Sequence, residues 1–181
     1  MKLFVGLRPS EAAVESLAEP VGRVLRSLPR ARPTDPAIWH VTLAFIGELP
    51  DGRLSDVTAA LSEAVTGLPV FELHVAGGGH FGSSVFFANL DGDTDALHAT
   101  TMRVREALAD FGVPMDQRPP RAHLTVARIP GRGSHQNLQD GIDVLAGYRG
   151  PSWRVRDILL YRSRPGPPVH YDVLHHFPLT A

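Results

Sequence analysis

The 181-residue sequence contains no cysteine and a single lysine, Lys2. The first absence removes disulfide frameworks, thiolate metal sites and cysteine nucleophiles, and fits a reducing compartment. The second leaves 17 arginines among 18 cations. Arginine is the better bidentate phosphate ligand, although GC-rich coding spread over solvated faces is the simpler reading of the excess. An imbalance of charge is lacking too. A formal net charge of −1 and a pI near 6.8 supply no basic field to draw in a nucleic-acid duplex, so any such contact is local. Long apolar runs are also missing. The opening MKLFVGLRPSEA is too short for a signal-peptide core or a membrane span, and no later stretch approaches the length a span needs. The expectation is a soluble, cytoplasmic protein with no membrane partner.

Such a length equals about one to one and a half average domains and suffices for a sizeable core. Leu3 to Leu7 reads as a short buried strand stopped by Arg8-Pro9. Helical spacing predicts helices over 10–29, 53–66 and about 93–111, with Ser10 as a cap and Pro20 as a possible break in the first. Residues 136–147 are ambiguous, because Gly141 weakens a helix there. Strands are predicted over 39–46, 70–75, 84–90, 123–129, 153–162 and 169–177, with glycines 77–79 and 82 in a connection and 29–36 in a loop. Strands interleaved with helices in this order fit an α+β fold of mainly antiparallel sheet better than a doubly wound parallel one.

One phrase occurs twice, as WHVTLAFIG around His40 and AHLTVARIP around His123. Nine His and nine Thr in random order give roughly 0.45 His-x-Thr triplets, so a single copy carries little weight. Both copies, however, continue into an aliphatic residue and Ala, then reach Ile and a breaker, 83 residues apart. Internal duplication explains this better than chance, and predicts two lobes that each give one motif strand to a central cleft.

On a regular strand His40, Thr42 and Ala44 share one face, a small-residue floor bearing an imidazole and a hydroxyl, while Val41, Leu43 and Phe45 take the other, the core face. His123, Thr125 and Ala127 repeat the pattern. Two imidazoles facing one space, each with a nearby hydroxyl, suit displacement at phosphorus. Such a reaction needs a base on the attacking oxygen, an acid on the leaving oxygen and donors for the non-bridging oxygens. Imidazole can be neutral in one copy and protonated in the other near pH 7. No metal or other cofactor is required, and no carboxylate cluster adjoins either motif. The other histidines, His74, His80, His98, His135, His170, His175 and His176, lack a matched phrase and are read as structural.

With these motifs the chain resembles the two-histidine (2H) phosphoesterase superfamily, and within it the bacterial and archaeal RNA 2′,3′-cyclic phosphodiesterases, long named 2′-5′ RNA ligases. MKLFVGLRPS resembles the opening strand, GGGHFG the mid-chain turn and YDVLHHFPL the closing strand. The resemblance implies one 2H phosphoesterase domain over 1–181, built of two pseudo-symmetric lobes with helices packed outside. It also implies as partner an RNA or oligonucleotide with a 2′,3′-cyclic phosphate end, opened to a 2′-phosphomonoester by a monomeric enzyme without a metal. His40 matches the general acid on the departing 3′ oxygen and His123 the base that activates water. Thr42 and Thr125 match the hydroxyls that hold phosphate oxygens, and Arg128 matches the family's Arg after the second motif. Strand periodicity puts Arg128 opposite His123, so either a bulge turns it into the cleft or it is a surface Arg. The lead Pro119-Pro120-Arg121-Ala122 departs from the family's usual aromatic-x-Pro, and Arg121 is a weak candidate for RNA backbone contact. A phosphate-binding module without turnover, or ligation at the same site, remain open as alternatives.

Overall fold

The computed structural model describes residues 1–28, 30–116, 118–130 and 135–181. Residue 29 of the predicted loop 29–36 and the side chain of His135 lie outside the described residues. Among the described residues nine strands, β1 (Lys2–Leu7), β2 (Arg32–Pro33), β3 (Val41–Glu48), β4 (Phe71–Phe81), β5 (Val85–Gly92), β6 (Leu124–Arg128), β7 (Trp153–Val155), β8 (Asp157–Arg164) and β9 (His170–Pro178), accompany four α-helices. The helices are α1 (Glu11–Ser27), α2 (Leu54–Val65), α3 (Thr94–Asp110) and α4 (His135–Ala146). The fold is the α+β class expected, with every strand pair antiparallel.

The sheet runs β7-β4-β5-β6-β3-β1-β8-β9, with β2 added on β6. Its centre is a seam. β3 and β6 pair at one position only, Val41 opposite Leu124, the residue after each motif histidine. Four strands lie to either side of this seam, so the order is palindromic, with β3 answering β6 and β1 answering β5. The helices lock the halves together: α1 packs on α4, and both touch β4, while α2 packs on α3, against β9 and β3 respectively. Thus α1 follows a strand of one half and covers the other. A continuous apolar core from Leu3 to Leu179 fills the space between helices and sheet.

Several local expectations need correction. α1 runs unbroken through the buried Pro20. Residues 135–146 form a helix despite Gly141, and the glycine has a packing reason. A Cβ there would lie 3.0 Å from the Phe86 ring and 3.2 Å from Val24, so its absence lets α1, α4 and β5 approach closely. β4 does not end at Val75; a bulge between Val75 and Gly78, with Gly77 at φ 73°, carries it on to Phe81. The stretch 153–162 is two strands, β7 on β4 and β8 on β1, so the chain crosses from one half of the sheet to the other at Arg156. Arg32-Pro33, inside the predicted loop, pairs with β6. Among the described residues no helix is long and apolar enough to cross a membrane.

Candidate active site

Each motif histidine is held by the same two devices. His40 Nδ1 lies 2.8 Å from the Ile38 carbonyl and His123 Nδ1 lies 2.7 Å from the Arg121 carbonyl, in both cases two residues back. A carbonyl only accepts, so each Nδ1 carries the hydrogen and each Nε2 is left to take or give a proton. The chain before His40 is anchored by the buried Trp39, whose indole N–H donates to the Thr34 carbonyl at 3.0 Å. The second device is an aromatic wall. The His40 ring sits 4.8 Å from Phe4 and edge-on at 5.1 Å from Tyr171, with Tyr161 stacked on Phe4 behind them. His123 sits edge-on at 4.7 Å from Phe81 and 5.2 Å from Phe87. These rings come from strands far from the motifs in sequence.

Burial against the rings disfavours the imidazolium and lowers the pKa of both histidines. The backbone hydrogen bonds oppose this, while nearby cations add to it: His123, Arg128 and Arg8 act on His40, and Arg121 and Arg128 act on His123. Each imidazole therefore lies within electrostatic reach of Arg128, and His40 within reach of His123. Burial also pushes the Tyr161 phenol up to about 12, so that wall stays neutral.

The threonines and Arg128 turn on one backbone feature, present twice. Along the β1–β3 pair the register runs from Gly6 opposite Thr42 to Val5 opposite Ala44, skipping Leu43. Along β5–β6 it runs from Phe87 opposite Thr125 to Phe86 opposite Ala127, skipping Val126. A bulged residue adds one to the strand without adding a partner, so every side chain beyond it changes face. The expected alternation therefore fails after the threonines. Ala44 and Ala127 are core residues at 2% and 0% exposure, not a floor beneath the histidines. Arg128 lies on the face of Thr125 and is exposed, so the strict alternation that put it opposite His123 does not hold along β6.

The same step delivers Phe45, 68% exposed, to the face of Thr42. Phe45 and Arg128 occupy equivalent places in the two phrases, and sequence reasoning passed over Phe45 as a core residue. Aligning HVTLAF with HLTVAR would have marked it. Phe45 opens a registered row across the sheet: Phe45 opposite Phe4, Phe4 opposite Tyr161, Tyr161 opposite Val173. In the other half, the Arg121 guanidinium lies 5.0 Å from the Phe87 ring centroid and 5.6 Å from that of Phe81, a cation on the aromatic wall beside His123. Gly79 makes this possible, since a Cβ there would press within 2.8 Å of Phe87. Thr42 lines a cavity of about 240 Å³ together with Arg121 and Ala122. Among the described residues no group of three His, Asp or Glu side chains is placed to hold a metal. His176 Nδ1 lies 3.3 Å from an Asp157 carboxylate oxygen.

Two matched strands, each bringing an imidazole and a hydroxyl to one seam of a curled antiparallel sheet, define the class of 2H phosphoesterases. The family model of the 2′-5′ RNA ligase superfamily matches residues 9–167, and the chain belongs to that superfamily. It is 26% identical over 182 residues to an RNA 2′,3′-cyclic phosphodiesterase of Geobacillus stearothermophilus, covering 98% of this chain and 57% of that one. The chain thus spans little more than half the length of that relative. An RNA 2′,3′-cyclic phosphodiesterase of Methanothermobacter thermautotrophicus is 27% identical over 168 residues, 88% of this chain and 91% of its own. In fold the chain is similar to E. coli LigT complexed with 3′-AMP, at a TM-score of 0.82 and 19% identity over 99% of this chain and 98% of that one.

Proposed function

We propose that the protein hydrolyses 2′,3′-cyclic phosphate ends of RNA to 2′-phosphomonoesters, with His123 as base and His40 as acid. The observation that carries this reading is the paired tether: two half-buried imidazoles, each with Nδ1 bound to a carbonyl and Nε2 left for proton transfer. Names of relatives at modest identity point the same way.

The unequal flanks set the direction of the reaction. Phe45 and the Phe4–Tyr171 wall offer apolar faces beside His40, where a nucleoside packs. The leaving 3′ oxygen belongs to that nucleoside, so the acid is His40. Water enters from the opposite, His123 side. His123 Nε2 takes a proton from water as its oxygen bonds to phosphorus. The bond from phosphorus to O3′ breaks, and the proton on His40 Nε2 passes to O3′. The 2′-phosphomonoester remains, and exchange with solvent restores the starting proton on each ring. Thr42 and Thr125 hydroxyls donate to the non-bridging oxygens, and the Arg128 charge stabilises the added negative charge in the transition state. No step calls on a metal ion.

The test is an oligonucleotide with a 2′,3′-cyclic end incubated with EDTA. A 2′-phosphate product is expected. A 3′-phosphate, tight binding without product, or joining to a 5′-hydroxyl strand in preference to hydrolysis would each overturn the reading.

A further inference from the structure

The two motif strands differ in what closes over their far ends. On the β6 side the chain before the first motif folds down as β2, with Arg32 opposite Arg128 and Pro33 opposite Ala127, and the Thr34 N–H donating to the Val126 carbonyl at 2.9 Å. The corresponding chain before the second motif pairs with no strand among the described residues. Pro119 and Pro120 lack the N–H that pairing would use, and the residue before a proline is biased to extended backbone. This segment stays lifted off β3, and space opens beneath it.

That space is a pair of adjoining cavities. The first, about 240 Å³, touches the proposed reaction centre through Thr42, Ala122 and Arg121, and is walled on its other side by α3 through Thr94 and His98. The second, about 450 Å³, continues from His98 and Pro120 along α3 past Met102, Arg105 and Ala109. Together they reach the size range of small-molecule sites. The lining divides by chemistry. His98 and Arg121 stand near the cleft, and Arg105 and Arg118 stand further along. The carboxylates are Glu106 and Asp116. Asp116 is already engaged: Arg118 Nε lies 2.9 Å from it and holds its carboxyl down at about 2, and Arg105 donates to its backbone carbonyl. With Arg118 and Asp116 paired, Arg105 and Arg121 remain against the single carboxylate of Glu106, and Met102, Ala109 and Pro119 form an apolar wall.

We infer that this groove between α3 and residues 118–122 holds the nucleotide on the 5′ side of the reacting terminal nucleotide. The inference rests on the proposed reaction. Continuity with Thr42 is the argument for this occupant: a strand whose terminal phosphate lies between the histidines has its next residue within the space that opens beside Thr42. The linking phosphate meets His98 and Arg121, and the base lies along Met102, Ala109 and Pro119, a surface that stacks any base and reads none. The substrate class is then an oligonucleotide end, with a dinucleotide as the smallest full substrate and a cyclic mononucleotide as a truncated one.

The test compares kcat/KM for adenosine 2′,3′-cyclic phosphate with that for the dinucleotide ApA bearing the same end. Wild type should favour the dinucleotide by about tenfold or more, since contacts to non-reacting parts of a substrate contribute to the rate. His98→Ala, on the exposed surface of α3, and Ala109→Trp, which fills the groove, should each pull this ratio towards one. A wild-type ratio near one with both substrates hydrolysed overturns the groove assignment and leaves the reaction standing. An unchanged ratio in both variants does the same. Loss of joining to a 5′-hydroxyl strand in the variants, with the ratio intact, would give the groove to an attacking strand instead. Hydrolysis of neither substrate by wild type overturns the reaction and the groove together.

Discussion

The half of the sheet that carries His40 and the half that carries His123 hold their imidazoles in the same way, yet surround them differently. Both use a carbonyl two residues back, a threonine two residues on, a bulge after the threonine and a wall of rings. At the place the bulge exposes, one half has Phe45 and the other Arg128. Beside the wall, one half continues into Tyr161 and Val173, while the other is capped by Arg121. The two matched strands thus tether two imidazoles alike, while differences in the flanks make one side apolar and the other cationic. On the proposed reaction, that inequality assigns the acid to the His40 side and the base to the His123 side.

The sharpest way to break the comparison is to remove each imidazole. His40→Ala and His123→Ala should each lower kcat by about 10² to 10⁴-fold. With a p-nitrophenyl phosphodiester, whose leaving group departs without a proton, His40→Ala should recover most of the activity still lost in His123→Ala. Equal recovery in both would show that the halves are not divided as acid and base.

Smaller effects follow at the bulge-exposed positions. Arg128→Met should lower kcat by about 10 to 100-fold, as expected for losing charge stabilisation in the transition state. Phe45→Leu should act mainly on KM, by about tenfold, the scale of one lost base stack. Steady-state kinetics on the same oligonucleotide separate the two, and a KM effect from Arg128 with a kcat effect from Phe45 would reverse the assignment of the flanks.

Proton balance offers a finer test. The base must be neutral and the acid protonated, so activity falls below the pKa of His123 and above that of His40. Both are lowered from 6.5, chiefly by burial. The kcat/KM optimum, which reports the free enzyme, should therefore lie on the acid side of 6.5. The kcat optimum should lie higher, because bound phosphate favours the imidazolium. Arg128 acts on both rings, so Arg128→Met should move both limbs to higher pH. A profile that stays in place would remove Arg128 from the electrostatics of the cleft.

Least in effect on chemistry is Gly6→Ala in β1. Its Cβ would lie 2.6 Å from the Val41 carbonyl oxygen, at the seam where the halves meet. Overpacking of this kind costs about 1 to 3 kcal/mol, visible as a lower Tm. An unchanged Tm would mean that the seam yields more readily than its neighbours.

Much of this was legible in residue order. Periodicity located the helices and most strands because a helix or strand buries one face, and residues 3.6 or 2 apart share it. The duplicated phrase marked the two histidines and two threonines that the structure brings to matching places on β3 and β6. Other features were hidden for identifiable reasons. β2 consists of two residues and has no period to detect. Gly141 read as a helix breaker because its role depends on Phe86 and Val24, which lie elsewhere in the chain. Phe45 read as core because alternation was carried unbroken through Leu43.

By itself the sequence determined which groups the proposed reaction draws on: two imidazoles, two hydroxyls and an arginine, in two matching strand phrases. The tertiary structure alone decided where Arg128 and Phe45 face. A bulge is a mismatch between two paired strands, β3 with β1 and β6 with β5, and the count of residues on one strand contains no record of how many its partner matches. The same holds for the aromatic walls and for the opening under Pro119-Pro120, each of which exists only where distant segments meet or fail to meet.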